Sequence, residues 1–159
     1  MLYISTEELA MRLDSIDKNL LNVLQDELPL VSRPFEELGK GLGISEEDVI
    51  SRVKRLLEEG VIRRIGPIID IKKLGGVSTL VAMSVPSERV DETAAMINEY
   101  PEVTHNYLRS HRYNVWFTIS ASSKERLEEI LGEIKKLGYE LIDLPATKMF
   151  KIRVKFDMK

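Results

Sequence analysis

The chain has no cysteine in its 159 residues. That excludes disulfides, thiolate metal sites, iron–sulfur ligation and cysteine nucleophiles together. Aromatic residues are scarce, at 6%, with a single tryptophan, and there are only two histidines. Positive charge is not in surplus: 23 Lys and Arg stand against 26 Asp and Glu, a net charge of −3. No global basic field therefore recruits nucleic acid or an anionic membrane. No apolar run approaches the roughly 20 residues that a membrane-spanning helix needs. The N-terminus lacks a basic flank followed by an apolar core, so the expected compartment is the cytoplasm. At 43% hydrophobic and 31% charged, the remainder reads as an ordinary globular chain of one medium or two small domains.

What the chain does have is concentrated. Both histidines and the tryptophan fall within Val103 to Phe117, and no carboxylate occurs from Val103 through Lys124. Read as a strand, this segment puts His105, Tyr107 and Arg109 on one face, because strand side chains alternate. A proton-transfer group, a phenol and a fixed cation on one surface can hold and protonate an anionic ligand.

Hydrophobic spacing divides the chain into two domains, expected at 1–74 and 75–159. Ser5 with Glu8 fits a capping box. Ile16, Leu20, Leu21, Val23, Leu24 and Leu28 form a helical stripe that stops before Pro29. Pro34 opens a second helix, which the Gly39, Gly41 and Gly43 cluster ends. Ser45 caps a third helix carrying Val49, Val53, Leu56 and Leu57. Together these spell a helix-turn-helix, and Val61 to Ile69 reads as a β-hairpin wing. From Val77 the period changes. Strands are expected at Val77–Val85, Val103–Arg109 and Tyr113–Ala121, helices at Ser87–Tyr100 and Ser123–Leu137, and extended chain from Leu141 to Phe156. The expected class is α+β, a winged helix-turn-helix followed by a ferredoxin-like βαββαβ unit.

This architecture resembles the Lrp/AsnC family of amino-acid-responsive regulators over nearly the whole chain. Three motifs narrow the resemblance: Arg63-Arg64-Ile65-Gly66-Pro67, the segment from His105 to Phe117, and Pro145-Ala146-Thr147-Lys148-Met149-Phe150-Lys151-Ile152. They are similar to those of the siroheme decarboxylases, AsnC-like proteins of haem and haem d1 biosynthesis. The His105 segment is most similar to the A-type subunit. The resemblance implies removal of two acetate carboxyls of siroheme, giving 12,18-didecarboxysiroheme. It also implies pairing with a B-type paralogue, with a homodimer as the other possibility. No cofactor is implied beyond the iron tetrapyrrole substrate, because the conjugated ring accepts the electrons that decarboxylation leaves behind.

Under that resemblance His105, His111 and Tyr107 are the catalytic candidates. A histidine exchanges protons near neutrality, and either His105 or His111 could instead ligate the substrate iron. Arg63, Arg64, Arg109, Arg112, Tyr113, Lys148 and Lys151 are the candidates to hold carboxylates, with arginine favoured for its forked geometry. Trp116 reads as packing. Lys151, Arg153 and Lys155 would share one face of an edge strand, where basic residues also guard against edge-to-edge pairing.

The competing reading is an Lrp/AsnC-type regulator that binds DNA and a small effector, with Arg63 and Arg64 on phosphates. A tetrapyrrole sensor without turnover is a third. Charge opposes DNA. From Ile16 to Asp70 there are eight Lys and Arg against eleven Asp and Glu, whereas duplex affinity comes largely from neutralising phosphates. The first turn of the presumed recognition helix reads Glu46-Glu47-Asp48, where base contacts would be made. Those carboxylates suit the positive end of a helix dipole, so the domain reads as a scaffold.

Overall fold

A computed structural model describes residues 13–152 and 155–158, which excludes the expected Ser5–Glu8 cap. The chain separates into two compact units. The first runs to Pro67 and includes the chain from Ile152 onward; the second is Ile68–Lys151.

The first unit has three helices: α1 (Ser15–Leu24), α2 (Pro34–Leu42) and α3 (Glu46–Glu58). Asp14 caps α1 by accepting from the Asp17 N–H at 2.7 Å, and the Asp17 carboxylate accepts from the Asp14 N–H at 3.2 Å. Proline fits the first turn of α2 because that N–H has no helical partner anyway. The turn between α2 and α3 demands two glycines. Gly43 ends α2 at φ 70°, and a Cβ on Gly39 would sit 2.6 Å from the Ile44 carbonyl oxygen. Ser45 then caps α3 by accepting from the Asp48 N–H. Leu20, Leu21, Leu38, Val49, Val53 and Leu56 form the core.

Two expectations for this part of the chain are corrected. Val61 to Ile69 forms no strand pair. Pro67 has no N–H for a ladder, and Ile68 is fully exposed. The tail does not extend the sheet either. Two amides one turn apart on α1 grip its backbone. Gln25 accepts from the Phe156 N–H at 2.7 Å and donates to the Phe156 carbonyl at 3.0 Å. Asn22 does the same with Met158, at 3.0 and 3.2 Å. Lys155 pairs with Asp26. The expected 75–159 domain therefore loses its last residues to the first unit. Arg153, expected on the basic strand, lies outside the described residues.

The second unit has β1 (Val77–Ser84), α4 (Val90–Asn98), β2 (Val103–Leu108), β3 (Val115–Ala121), α5 (Lys124–Lys135) and β4 (Glu140–Pro145). The sheet order is β2-β3-β1-β4, antiparallel throughout, as a ferredoxin-like βαββαβ unit requires. On β3, Val115, Phe117, Ile119 and Ala121 are buried, while Trp116, Thr118 and Ser120 alternate with them on the opposite face. The buried set packs with Val81, Met83, Ile97, Ile130 and Ile134 beneath the two helices. Asn114 extends the ladder with its side chain, accepting from the Val85 N–H at 2.9 Å and donating to the Val85 carbonyl at 2.8 Å. No described helix is long and apolar enough to cross a membrane.

Candidate functional site

The face of the sheet away from α4 and α5 carries His105 and Tyr107, and an irregularity in β2 puts them there. Val103 pairs with Ile119, but His105 pairs with Thr118, one residue short of regular register. Thr104 is the extra residue of a β-bulge. Were Thr104 paired with Thr118 in regular register, His105 would oppose Phe117 and share the helix-facing side with Val103, since a one-residue slip exchanges faces. With the bulge, His105 and Tyr107 join Thr118 and Trp116 on the open face. Asn106 instead turns toward α4, donating to Ala94 O at 3.4 Å and Asn98 Oδ1 at 3.0 Å.

His105 is exposed and Tyr107 is 52% exposed. Their rings lie nearly parallel, with centroids 6.1 Å apart. His105 Nδ1 is 3.1 Å from Thr104 Oγ1. Arg109 sits with its guanidinium carbon 5.5 Å from the Trp116 ring centroid. No carboxylate pairs with Arg109 among the described residues. Trp116 donates from Nε1 to the Tyr113 carbonyl at 2.6 Å. Leu80 from β1, paired with Thr118, and Leu144 from β4, paired with Leu80, continue this face as apolar floor. Both are about two-fifths exposed. From β2 to β4 the sheet spans about 14 Å, three strand spacings. The surface is a shallow platform. The cleft of about 390 Å³ between α4 and α5, lined by Met96, Tyr100, Glu133 and Leu137, is on the other side of the sheet.

The β2–β3 turn holds the other candidates. The Tyr113 N–H donates to His111 Nδ1 at 3.1 Å, and the two rings lie 6.1 Å apart. The Arg112 guanidinium carbon is 5.5 Å from the Tyr113 ring centroid. A carboxylate that the sequence reading did not associate with this segment enters here. Arg112 Nη2 donates to Glu140 Oε2 at 2.5 Å, and the Tyr113 hydroxyl donates to Glu140 Oε1. The Tyr113 hydroxyl, then Arg112, hold the Glu140 carboxyl below its ordinary range, and Glu140 in turn raises the Tyr113 phenol. The segment free of carboxylates in sequence is thus not free of them in space. Only the β4 register, which places Glu140 opposite Ser84, reveals this.

The remaining candidates lie elsewhere. Lys148 and Lys151 are exposed on the irregular chain that leaves β4, at the sheet edge opposite β2. Lys148 Nζ sits 5.0 Å from the Phe150 ring centroid. Arg63 and Arg64 are exposed in the first unit, with no ion pair among the described residues.

Three arginines of the first unit are engaged. Asp17, 1% exposed, receives Arg52 Nη1 at 2.8 Å and Arg55 Nη2 at 2.6 Å; Arg52 also meets Asp14 at 2.7 Å. Arg33 pairs with Glu36 and Glu46. These pairs leave α3 little free cation with which to neutralise phosphates.

A family model described as the siroheme decarboxylase NirDL-like HTH domain matches residues 17–63. A second, the AsnC-like ligand binding domain, matches residues 73–151. The chain is 47% identical over 147 residues to the siroheme decarboxylase alpha subunit of Desulfovibrio desulfuricans, covering 92% of this chain and 85% of that one. The crystal structure of the siroheme decarboxylase NirDL superposes with a TM-score of 0.67 at 31% identity, over 92% of this chain. This chain spans about half the length of that NirDL chain, 48%. The leucine response regulatory protein LrpA of Mycobacterium tuberculosis shares the fold, with a TM-score of 0.73 at 24% identity, over 88% of this chain and 96% of that one.

Proposed function

We propose, from the premise that this chain belongs to the siroheme decarboxylase family of AsnC-like proteins, that it is one subunit of a cytoplasmic carboxy-lyase. Its substrate is siroheme, from which two acetate carboxyls are removed to give 12,18-didecarboxysiroheme in haem or haem d1 biosynthesis. The observation that carries this is the open sheet face: His105, Tyr107 and Arg109 beside a flat, partly apolar floor, with Arg109 paired to no described carboxylate. A tetrapyrrole is flat, apolar over its rings and ringed by carboxylates, so the platform and its cationic rim match it in shape and charge.

In each decarboxylation the bond between the acetate methylene and its carboxyl carbon breaks. Carbon dioxide leaves, and the electron pair passes into the conjugated macrocycle. A proton must then reach the methylene carbon, leaving a methyl group. His105 is the donor we assign, with Tyr107 alongside to hold a carboxylate. His111 is the second candidate, and either imidazole is a candidate ligand for the substrate iron. Arg109 and Arg112 grip carboxylates as forked donors. Lys148 and Lys151 are rim cations in this reading, and Arg63 and Arg64 are carboxylate-holding candidates of the first unit. No group beyond the substrate's own ring is needed as electron sink. The open platform covers only one side of a macrocycle. A B-type paralogue is the partner we assign to the other side, with a second copy of this chain as the alternative.

The regulator reading draws on the shared Lrp/AsnC architecture, and the neutralised Arg52 and Arg55 weigh against it. The deciding experiment mixes the chain and its B-type partner with siroheme, then follows ligand absorbance and ligand mass. The expected result is binding followed by loss of two carboxyl groups, with His105→Ala folded and bound but inactive. Binding without mass loss, even with the partner present, would leave a sensor. Unchanged turnover in His105→Ala would remove that residue from the chemistry.

A further inference from the structure

Arg112 and Tyr113 together make a receptor for one carboxylate, and the protein's own Glu140 fills it. Each carboxylate oxygen takes one donor, Oε2 from the guanidinium and Oε1 from the phenol. The donors are neighbours on the β2–β3 turn, and the carboxylate opens β4 at the far edge of the sheet. The contact is not structural cement. Both side chains are well exposed, 69% for Arg112 and 49% for Glu140, and ion pairs that exposed contribute little to stability. The receptor also has support without Glu140, because Arg112 lies against the Tyr113 ring and His111 accepts the Tyr113 N–H.

We infer that Glu140 is a specificity-determining residue, an internal carboxylate that occupies the Arg112–Tyr113 receptor until a carboxylate of the ligand displaces it. The inference rests on the reading that this side of the unit receives a polycarboxylate. Exchange replaces one carboxylate by another, so the local charge and hydrogen bonds are conserved. A tethered competitor acts at an effective concentration in the millimolar range. A free monocarboxylate, such as acetate or an amino acid, loses to it at lower concentrations. A macrocycle already held at Arg109 presents its next carboxylate at a comparable effective concentration and competes on equal terms. The device thus excludes small acids and admits a polyanion.

Trp116, the only tryptophan, is bonded to the Tyr113 carbonyl, so its fluorescence reports on the turn. Sodium acetate is titrated at constant ionic strength into the wild-type chain and into Glu140→Gln. The expected result is a saturable fluorescence change at low-millimolar acetate in Glu140→Gln. In wild type that change needs about two- to fivefold more acetate, and it is lost when Arg112→Ala is added to Glu140→Gln. Siroheme, followed by absorbance, is expected to bind Glu140→Gln about two- to fivefold more tightly, the range set by exposed ion pairs. Glu140→Ala should reproduce both effects, and Glu140→Asp, which keeps the charge, should not. Identical acetate responses in wild type and Glu140→Gln would overturn the inference. So would weaker siroheme binding in both neutral variants, which would make Glu140 a support for the turn instead. If acetate behaves as expected while siroheme binds no variant, the internal ligand stands and the macrocycle reading falls.

Discussion

Arg33, Arg52 and Arg55 in the helical unit each rest on carboxylates, whereas Arg109 in the sheet unit rests on an indole ring. The difference separates two uses of the same side chain. In the first unit, buried Asp17 needs compensation, and two guanidiniums from α3 supply it across the helix pair. In the second, the cation faces solvent with its donors unspent by any described carboxylate. Arg33, Arg52 and Arg55 are spent on holding a scaffold; Arg109 is kept available. Arg112 lies between these extremes, paired, but with an exposed partner that can be exchanged.

The largest way to break this contrast is to strip Asp17 of both partners. Arg52→Met with Arg55→Met leaves a carboxylate buried and uncompensated, which costs about 3–5 kcal/mol. Denaturant unfolding followed by far-ultraviolet circular dichroism should show the loss. Replacing Asp17 as well, by Leu, should restore much of it, because a matched apolar set avoids the desolvation cost. If the double arginine variant kept wild-type stability, α3 would have cations to spare and the scaffold reading would weaken.

The second test concerns how the sheet unit presents its imidazole. Deleting Asn106 absorbs the bulge and restores simple alternation, opposing Thr104 to Thr118 and turning His105 toward Phe117 and α4. Turnover should disappear. Stability should fall by about 1–3 kcal/mol, the cost of burying a polar group without a partner. Asn106→Ala keeps the bulge and should retain the fold, so comparing the two isolates register from the amide bonds to Ala94 and Asn98. An active deletion variant would show that the face of His105 is immaterial.

The same bulge marks where the sequence stops being informative. Helical spacing and caps are local, so α1, α2 and α3 were legible, down to Ser45 as cap and the acidic first turn of α3. Strand alternation was legible too: β1, β2 and β3 begin and end within two residues of expectation, and the shared face of His105 and Tyr107 is present. What alternation could not say was which face that is, because a bulge is defined by the partner strand. Glu140 escaped for the same reason, lying 27 residues from Tyr113 along the chain. The wing at Val61–Ile69 failed because β-propensity without a pairing partner makes no ladder. The tail misled because Phe150, Ile152 and Phe156 alternate like a strand, while the amides of Asn22 and Gln25 that capture part of it are ordinary polar residues on α1.

A smaller effect comes from Arg109 itself. Arg109→Ala removes a charge-assisted donor that the fold does not use. Siroheme affinity should fall about tenfold, in line with a hydrogen bond to a charged group. Unfolding free energy should stay within about 0.5 kcal/mol, as for other exposed positions. A matched substitution in the other unit, Arg55→Ala, should reverse the pattern, losing stability with little change in affinity. Should Arg109→Ala destabilise the chain as much as Arg55→Ala does, the two regions would not differ in the way their contacts suggest.

The mildest test is acid. The Asp17 N–H, and after it the Arg52 guanidinium, hold the Asp14 carboxyl below its ordinary value. A carboxyl whose pKa is lower folded than unfolded stabilises the protein above its unfolded value, near 3.9. That contribution is lost as the pH falls through the folded value. Melting temperature should therefore hold steady near neutrality and decline below about pH 4. Asp14→Asn, which still caps the helix but cannot titrate, should flatten part of that decline. Arg52→Met should flatten less of it, since the backbone N–H is the larger cause. Glu140 is lowered for a parallel reason in the sheet unit, and its release in acid should appear in Trp116 fluorescence, with little trace in the melt. Coincident acid transitions by both probes would mean that the exposed receptor and the capped helix are coupled rather than independent.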